Sequence, residues 1–151
     1  MEESIKYLKE QFHLGQQDIR TYSPLTLAYI GDGVYELVIR TYLVEQGNCP
    51  VNQLHRRASR LVKASAQSAM IEALEPHLTQ EELQVYKRGR NAHSVTMAKN
   101  ASMVDYRRAT GFEAVMGYLY LKEDWKRMID LVKIGLESQN VQFVPEDSCE
   151  K

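Results

Sequence analysis

The sequence has little of what would tie it to a disulfide scaffold, a membrane or a β-fold. Its only two cysteines, Cys49 and Cys149, lie far apart and belong to no Cys-x-x-Cys or Cys/His spacing. That excludes a thiolate metal site and reads both as free thiols. The histidines His13, His55, His77 and His93 lack the paired spacing of an imidazole metal site. No apolar run is long enough to cross a bilayer, and Met1-Glu2-Glu3-Ser4 is acidic where a secretory leader is basic and then apolar. The expectation is a cytoplasmic chain with no membrane partner. Alternating strand patterns are almost absent, and there is neither an internal repeat nor a linker that would divide the chain.

What is present is a 151-residue chain with 44% hydrophobic side chains, enough for one buried core. Its formal net charge is only −1, but the charge is unevenly spread. Between His55 and Arg108, ten Lys/Arg stand against five Asp/Glu. A protein with one phosphate-facing side shows such asymmetry, although an ordinary solvated surface can too.

The periodicity predicts an all-α helical bundle. A short amphipathic helix from Ser4 to Phe12, with Ile5, Leu8 and Phe12 on one side, ends at Gly15. Ser23-Pro24 supplies an N-cap and first-turn proline for a helix to about Glu45, patterned by Leu27, Ile30, Val34, Leu37, Val38 and Tyr42. Pro50 opens one helical stretch through Leu74, with Arg56, Arg60 and Lys63 opposite Leu54, Leu61, Met70 and Leu74. Thr79 and Glu82 form a capping box for a helix to about Arg88. Gly89 to Met97 has no helical period and reads as a basic functional loop. A long helix from about Asn100 has Phe112, Val115, Met116 and Leu119 as its apolar face, and Asp124 caps a last helix from Trp125 to Leu136. Residues 1–138 read as one domain and 139–151 as a loose acidic tail.

Two carboxylates stand out. Asp32 sits between Gly31 and Gly33 amid Ile30, Val34 and Leu37, a setting that expels a carboxylate unless it has a partner. An Arg or a backbone donor could serve; a metal is the sharper candidate. Glu113 lies on a small-residue face with Ala109, Thr110, Met116 and Gly117. If the two helices pack together, Gly31, Gly33 and Gly117 let their backbones approach and the acids converge. Two such acids repel unless a divalent cation lies between them, and Mg²⁺ suits oxygen ligands while retaining waters. Glu36, one turn beyond Asp32, is either an outer acid of that site or a solvated helix residue. Asp105 reads as a surface or capping acid, and Tyr29, Tyr35, Tyr118 and Tyr120 as core aromatics with polar tips.

Tyr29-Ile30-Gly31-Asp32-Gly33-Val34-Tyr35-Glu36 resembles the signature helix of ribonuclease III. Phe112-Glu113-Ala114-Val115-Met116-Gly117 resembles that family's second motif, a catalytic glutamate followed by Ala, two apolar residues and Gly. The resemblance runs from about Ser23 to Gly135. With no room after Gln139 for a double-stranded-RNA-binding domain, the match is to the short Mini-ribonuclease III branch. It implies an all-α ribonuclease III endonuclease domain in which Asp32 and Glu113 are catalytic and hold Mg²⁺. Three further acids of the full-length family fall here at Ala28, Ala64 and Thr110, which leaves the number of metals open.

What the resemblance implies of function is a homodimeric, Mg²⁺-dependent endoribonuclease. It would cleave double-stranded RNA to leave 5′-phosphate and 3′-hydroxyl ends, maturing the ends of the large-subunit (23S) ribosomal RNA precursor. A ribosomal protein presenting the substrate is a partner the sequence leaves open. The RNA contacts would come from Arg56, Arg60 and Lys63 on one helix and from Lys87, Arg88, Arg90, His93 and Lys99 around the loop. The alternative is a non-catalytic RNA-binding module of the same fold. An all-α nucleotide phosphohydrolase would need Glu-x-x-Glu or His-Asp motifs, and none is present.

Overall fold

The computed structural model describes residues 2–92 and 102–143. Among them the chain forms helices α1 (Glu2–Gln11), α2 (Pro24–Val44), α3 (Val51–Val62), α4 (Ala64–Leu74), α5 (Gln80–Asn91), α6 (Met103–Leu121) and α7 (Trp125–Ser138), with 3-10 turns at Ile19–Thr21 and Glu75–His77. The described residues contain no strand, and no helix among them is long and apolar enough to cross a membrane.

Local chemistry sets most boundaries. Ser23 accepts from the Thr26 amide with Pro24 in the first turn of α2, Ser102 caps α6 through the Asp105 amide, and Asp124 caps α7 through the Arg127 amide. Thr79 and Glu82 form the expected capping box. The helix they start runs to Asn91, so Gly89 and Arg90 are helical rather than part of a loop. His93 to Met97 lie outside the described residues. Gly15 does not end α1. His13 takes the left-handed conformation at φ 55°, and the Leu14 amide returns to the Lys9 carbonyl.

Helix α6 is the axis of the bundle, with α2, α4, α5 and α7 around it. Its apolar residues are distributed round the helix, as suits an element covered on several sides. Phe112, Ala114, Val115 and Met116 are fully buried. The Phe112 ring stands edge-on to Tyr35 of α2, with centroids 5.0 Å apart. The face that α2 turns inward is Leu27, Ala28, Gly31, Val34, Tyr35, Ile39 and Leu43. Leu37 and Tyr29, expected inside, are 51% and 83% exposed. The cause is Gly31: with that residue against α6, its neighbours three and four positions away turn inward, while Tyr29 and Leu37 turn out.

The expected single helix from Pro50 to Leu74 is two. Straight, it would be about 36 Å long, too long to follow both α2 and α6. Lys63 is instead extended, at φ −64° and ψ 154°. Two buried side chains take the carbonyls freed at the bend: Tyr35 Oη donates to Leu61 O (2.7 Å) and Gln67 Nε2 to Val62 O (2.8 Å). Cys49 is disulfide-bonded where a free thiol was expected, because local spacing carries no signal of a bond to a residue far off in sequence; Cys149 lies outside the described residues. Beyond α7 the chain returns to the bundle, and the Phe143 ring meets Tyr42 at 5.6 Å.

Candidate active site

The site grows from the crossing of α2 and α6. A Cβ on Gly31 would lie 1.7 Å from the Glu113 carbonyl oxygen, and one on Gly117 would lie 1.9 Å from that of Leu27. The two backbones are in direct contact, and only glycine permits it. Asp32 follows Gly31 and Glu113 stands one turn before Gly117, so the same contact brings both carboxyls to the rim of the crossing. Gly33 plays no part in this approach. Nothing described lies within 4 Å of where its Cβ would be, because it faces outward.

Asp32 is exposed and Glu113 partly buried, so the burial argument made for Asp32 belongs to Glu113. Burial pushes the Glu113 carboxyl up, and its hydrogen bond to Asp32 and that residue's charge push the same way. A hydrogen bond from Gln67 pulls it down, Glu36 pushes it up, and Glu113 holds its proton to about 9. Glu36 thus belongs to the electrostatic surroundings of the pair while pairing with Arg40 at 3.6 Å. Among the described residues no group of three or more His, Cys, Asp or Glu side chains could hold a metal. The walls at Ala28 and Thr110 are uncharged: Ala28 is buried, and Thr110 Oγ1 donates to the Tyr106 carbonyl.

Of the basic candidates, Arg56 and Arg60 are exposed on α3, and Lys63 is exposed at the bend. Lys87 and Arg88 are exposed near the end of α5, where Arg90 lies over the Tyr86 ring at 5.5 Å. His93 and Lys99 lie outside the described residues. A cavity of about 510 Å³, lined by Tyr42, Arg57, Arg60, Leu61, Lys63 and Met70 among others, opens beside the bend and does not include the carboxyl pair. An acid pair at the surface, with exposed cations on neighbouring helices, suits an extended polyanion better than a small molecule held in a cleft. The residue that sequence reasoning missed is Gln67, an unremarkable letter in a helical run whose importance depends on α6.

Residues 25–124 match the family described as Ribonuclease III domain. A Mini-ribonuclease 3 of Clostridium tetani is 49% identical over 129 residues, 85% of this chain and 84% of the relative. The protein of that name from a Thermoanaerobacter species is 41% identical, with 91% of this chain and 97% of the relative covered. A crystal structure of a Fusobacterium nucleatum protein superposes with a TM-score of 0.73 at 29% identity, covering 82% of this chain and 99% of the other.

Proposed function

This chain belongs to the ribonuclease III family and is an endoribonuclease, and we propose that it is a divalent-metal-dependent, homodimeric nuclease for double-stranded RNA with Asp32 and Glu113 at its centre. The observation that carries the reading is the backbone contact of Gly31 with Glu113, which sets the two carboxyls side by side; burial first, and Asp32 after it, hold the Glu113 proton to about 9. The donors are hard oxygens, and the retained proton marks charge that a cation would neutralise. Mg²⁺, which keeps several waters and needs few protein ligands, fits such a pair. When bound, it would supply Lewis acidity for phosphodiester hydrolysis.

The chain's own residues do the rest. Asp32 and Glu113 would hold the cation as carboxylates, Glu113 losing to solvent the proton that burial otherwise favours, and Asp32 is exposed at the rim on the side open to substrate. Arg56, Arg60 and Lys63 neutralise phosphates along α3, and Lys87, Arg88 and Arg90 do so from the end of α5, where an A-form duplex offers backbone rather than base edges. The products would carry 5′-phosphate and 3′-hydroxyl ends. A second copy would supply the second cut, and α2 offers the surface for it: Leu25 and Leu37 are 37% and 51% exposed, Tyr29 is 83% exposed, and Gly33 lies between them at four-residue spacing. The resemblance to the short branch supports a cytoplasmic role in maturing 23S ribosomal RNA precursor, with a ribosomal protein as the candidate presenter of the duplex. Comparing naked precursor with that complex tests this part.

The deciding experiment is cleavage of a structured duplex with Mg²⁺, with EDTA and by Asp32→Asn, with circular dichroism reporting the fold. Double-strand cuts that vanish in EDTA and in folded Asp32→Asn are expected. Cuts retained by that variant would remove Asp32 from the centre.

A further inference from the structure

The cavity beside the α3–α4 bend lies apart from the carboxyl pair and has a chemistry of its own. Arg57 and Arg60 of α3 and Lys63 of the bend line it, and no acid does among the described residues. Arg57 is half-buried and donates to Gln46 Oε1 just beyond α2, which holds its guanidinium in place. Arg60 and Lys63 are exposed, and neither takes part in an ion pair among the described residues. Three like charges around one cavity repel, and an anion relieves that repulsion. Ser65 and Ala66 carry the lining into the first turn of α4. Lys63 is the N-cap there and no side chain caps the helix, so the amides of that turn add partial positive charge to the same place.

The rest of the lining is chiefly apolar. Leu43, Leu61, Met70 and Val141 contribute hydrocarbon and Tyr42 a ring. An inorganic anion would gain nothing from those groups, and an apolar ligand would leave the cations unpaired. The volume of about 510 Å³ falls within the range of small-molecule sites, about 300–1,000 Å³. A phosphate joined to a flat ring system meets both kinds of wall. Charge then separates the kinds of phosphate. A phosphodiester carries one negative charge, whereas a terminal phosphate carries about 1.5–2 at neutral pH, the better match for three cations and a helix start.

We infer that this cavity binds a nucleotide through its terminal phosphate. Arg57, Arg60 and Lys63 surround the phosphate, the Ser65 hydroxyl and the first amides of α4 donate to it, and the base lies against Leu61, Met70 and Tyr42. The nucleotide is either free or the phosphorylated end of an RNA strand. Binding is independent of the reading of Asp32 and Glu113; only the strand-end source rests on it, since the proposed cleavage leaves 5′-phosphate ends. Ala66 of the cavity and Gln67, which bonds Glu113, are successive residues, so the two sites share α4.

The test uses the full chain in EDTA, with adenosine 5′-monophosphate, adenosine and inorganic phosphate as probes in titration calorimetry. Wild type is compared with Ser65→Asp, which sets a negative charge at the helix start, and with Lys126→Gln. The latter changes net charge equally at an exposed position of α7 that does not line the cavity. An aspartate in the first turn of a helix favours folding, so Ser65→Asp should keep its structure. The monophosphate is expected to bind wild type and Lys126→Gln alike, about tenfold more tightly than adenosine or inorganic phosphate, and to bind Ser65→Asp about tenfold more weakly. Equal binding by wild type and Ser65→Asp, or none by wild type, overturns the inference, as does inorganic phosphate binding as tightly as the monophosphate. Should Ser65→Asp fail to fold, Arg57→Gln takes its place with the same outcomes. Anisotropy of a short RNA duplex with and without 5′-phosphates, again in EDTA, separates the two sources. A gain in affinity from the phosphate that Ser65→Asp abolishes assigns the site to the strand end. No gain, with the monophosphate bound, assigns it to the free nucleotide.

Discussion

Glu113 couples this protein's stability to pH in a direction opposite to that of most acids. Its ordinary value is 4.5, and in the fold it keeps its proton to about 9. Between those limits the metal-free folded chain binds a proton that the unfolded chain has lost, so its stability falls as pH rises from about 4.5 to 9. Glu113→Gln, which resembles the protonated form, should match wild type in EDTA near pH 5. At pH 8.5 it should be more stable by about 1–3 kcal/mol. Parallel urea curves at the two pH values measure this, and an equal pH slope in both proteins would mean that Glu113 ionises normally. Glycines divide as sharply. Gly31→Ala places a methyl 1.7 Å from a backbone oxygen that no rotamer change can move, so a loss of about 3 kcal/mol or failure to fold is expected. Gly33→Ala meets nothing described within 4 Å and should gain up to about 1 kcal/mol in the monomer. If Gly33 lies in a dimer contact, sedimentation will show that variant dissociating more readily than wild type.

At the scale of elements, the α3–α4 bend is a place where tertiary contacts override helical propensity. No proline or glycine stands between Leu61 and Ser65. The bend exists because Tyr35 and Gln67 receive its two loose carbonyls and because α2 and α6 demand different directions from the chain. Tyr35 is fully buried, and burial pushes its phenol up, so it remains a donor. Tyr35→Phe leaves the Leu61 carbonyl without that donor while keeping the ring contact with Phe112. The expected cost is about 1–3 kcal/mol. Chemical denaturation measures it, and a cost below about 0.5 kcal/mol would mean that water replaces the hydroxyl. Elsewhere, α5 and α7 are joined by Arg127, which bonds both oxygens of Glu82 at 2.8–2.9 Å and the His77 carbonyl at 2.7 Å. Glu82 thereby serves as capping residue and ion-pair partner together.

For the whole molecule, the uneven charge is what links a bundle of net charge −1 to a polyanionic substrate. Arg56 and Arg60 project from α3 into solvent and have no packing role to confound their removal. Arg56→Ala with Arg60→Ala should weaken duplex binding uniformly across sequences. It should also flatten the slope of log affinity against log salt by about 1 per arginine. Fluorescence anisotropy in EDTA over a salt series reads both, and an unchanged slope removes α3 from the RNA surface. The fold should tolerate the change, since neither side chain belongs to the core.

The sequence by itself determined what is encoded within three or four residues. Ser23 with Pro24, the Thr79–Glu82 box and the Asp124 cap each join near neighbours, and so were legible before any fold was known. Asp32 and Glu113 could be picked out as candidates from the two motifs that carry the family resemblance, but not from burial: Asp32 is exposed despite its apolar neighbours in sequence, and only Glu113 is partly buried. Only the tertiary structure decided which glycine touches which backbone, that Gly33 and Tyr29 face out, and that one long helix bends at Lys63. It alone placed the Gln67 amide against Glu113. The physical reason is that these features depend on the angle and register at which helices far apart in sequence meet, and a helix carries no local signal of which partner its inner face will find.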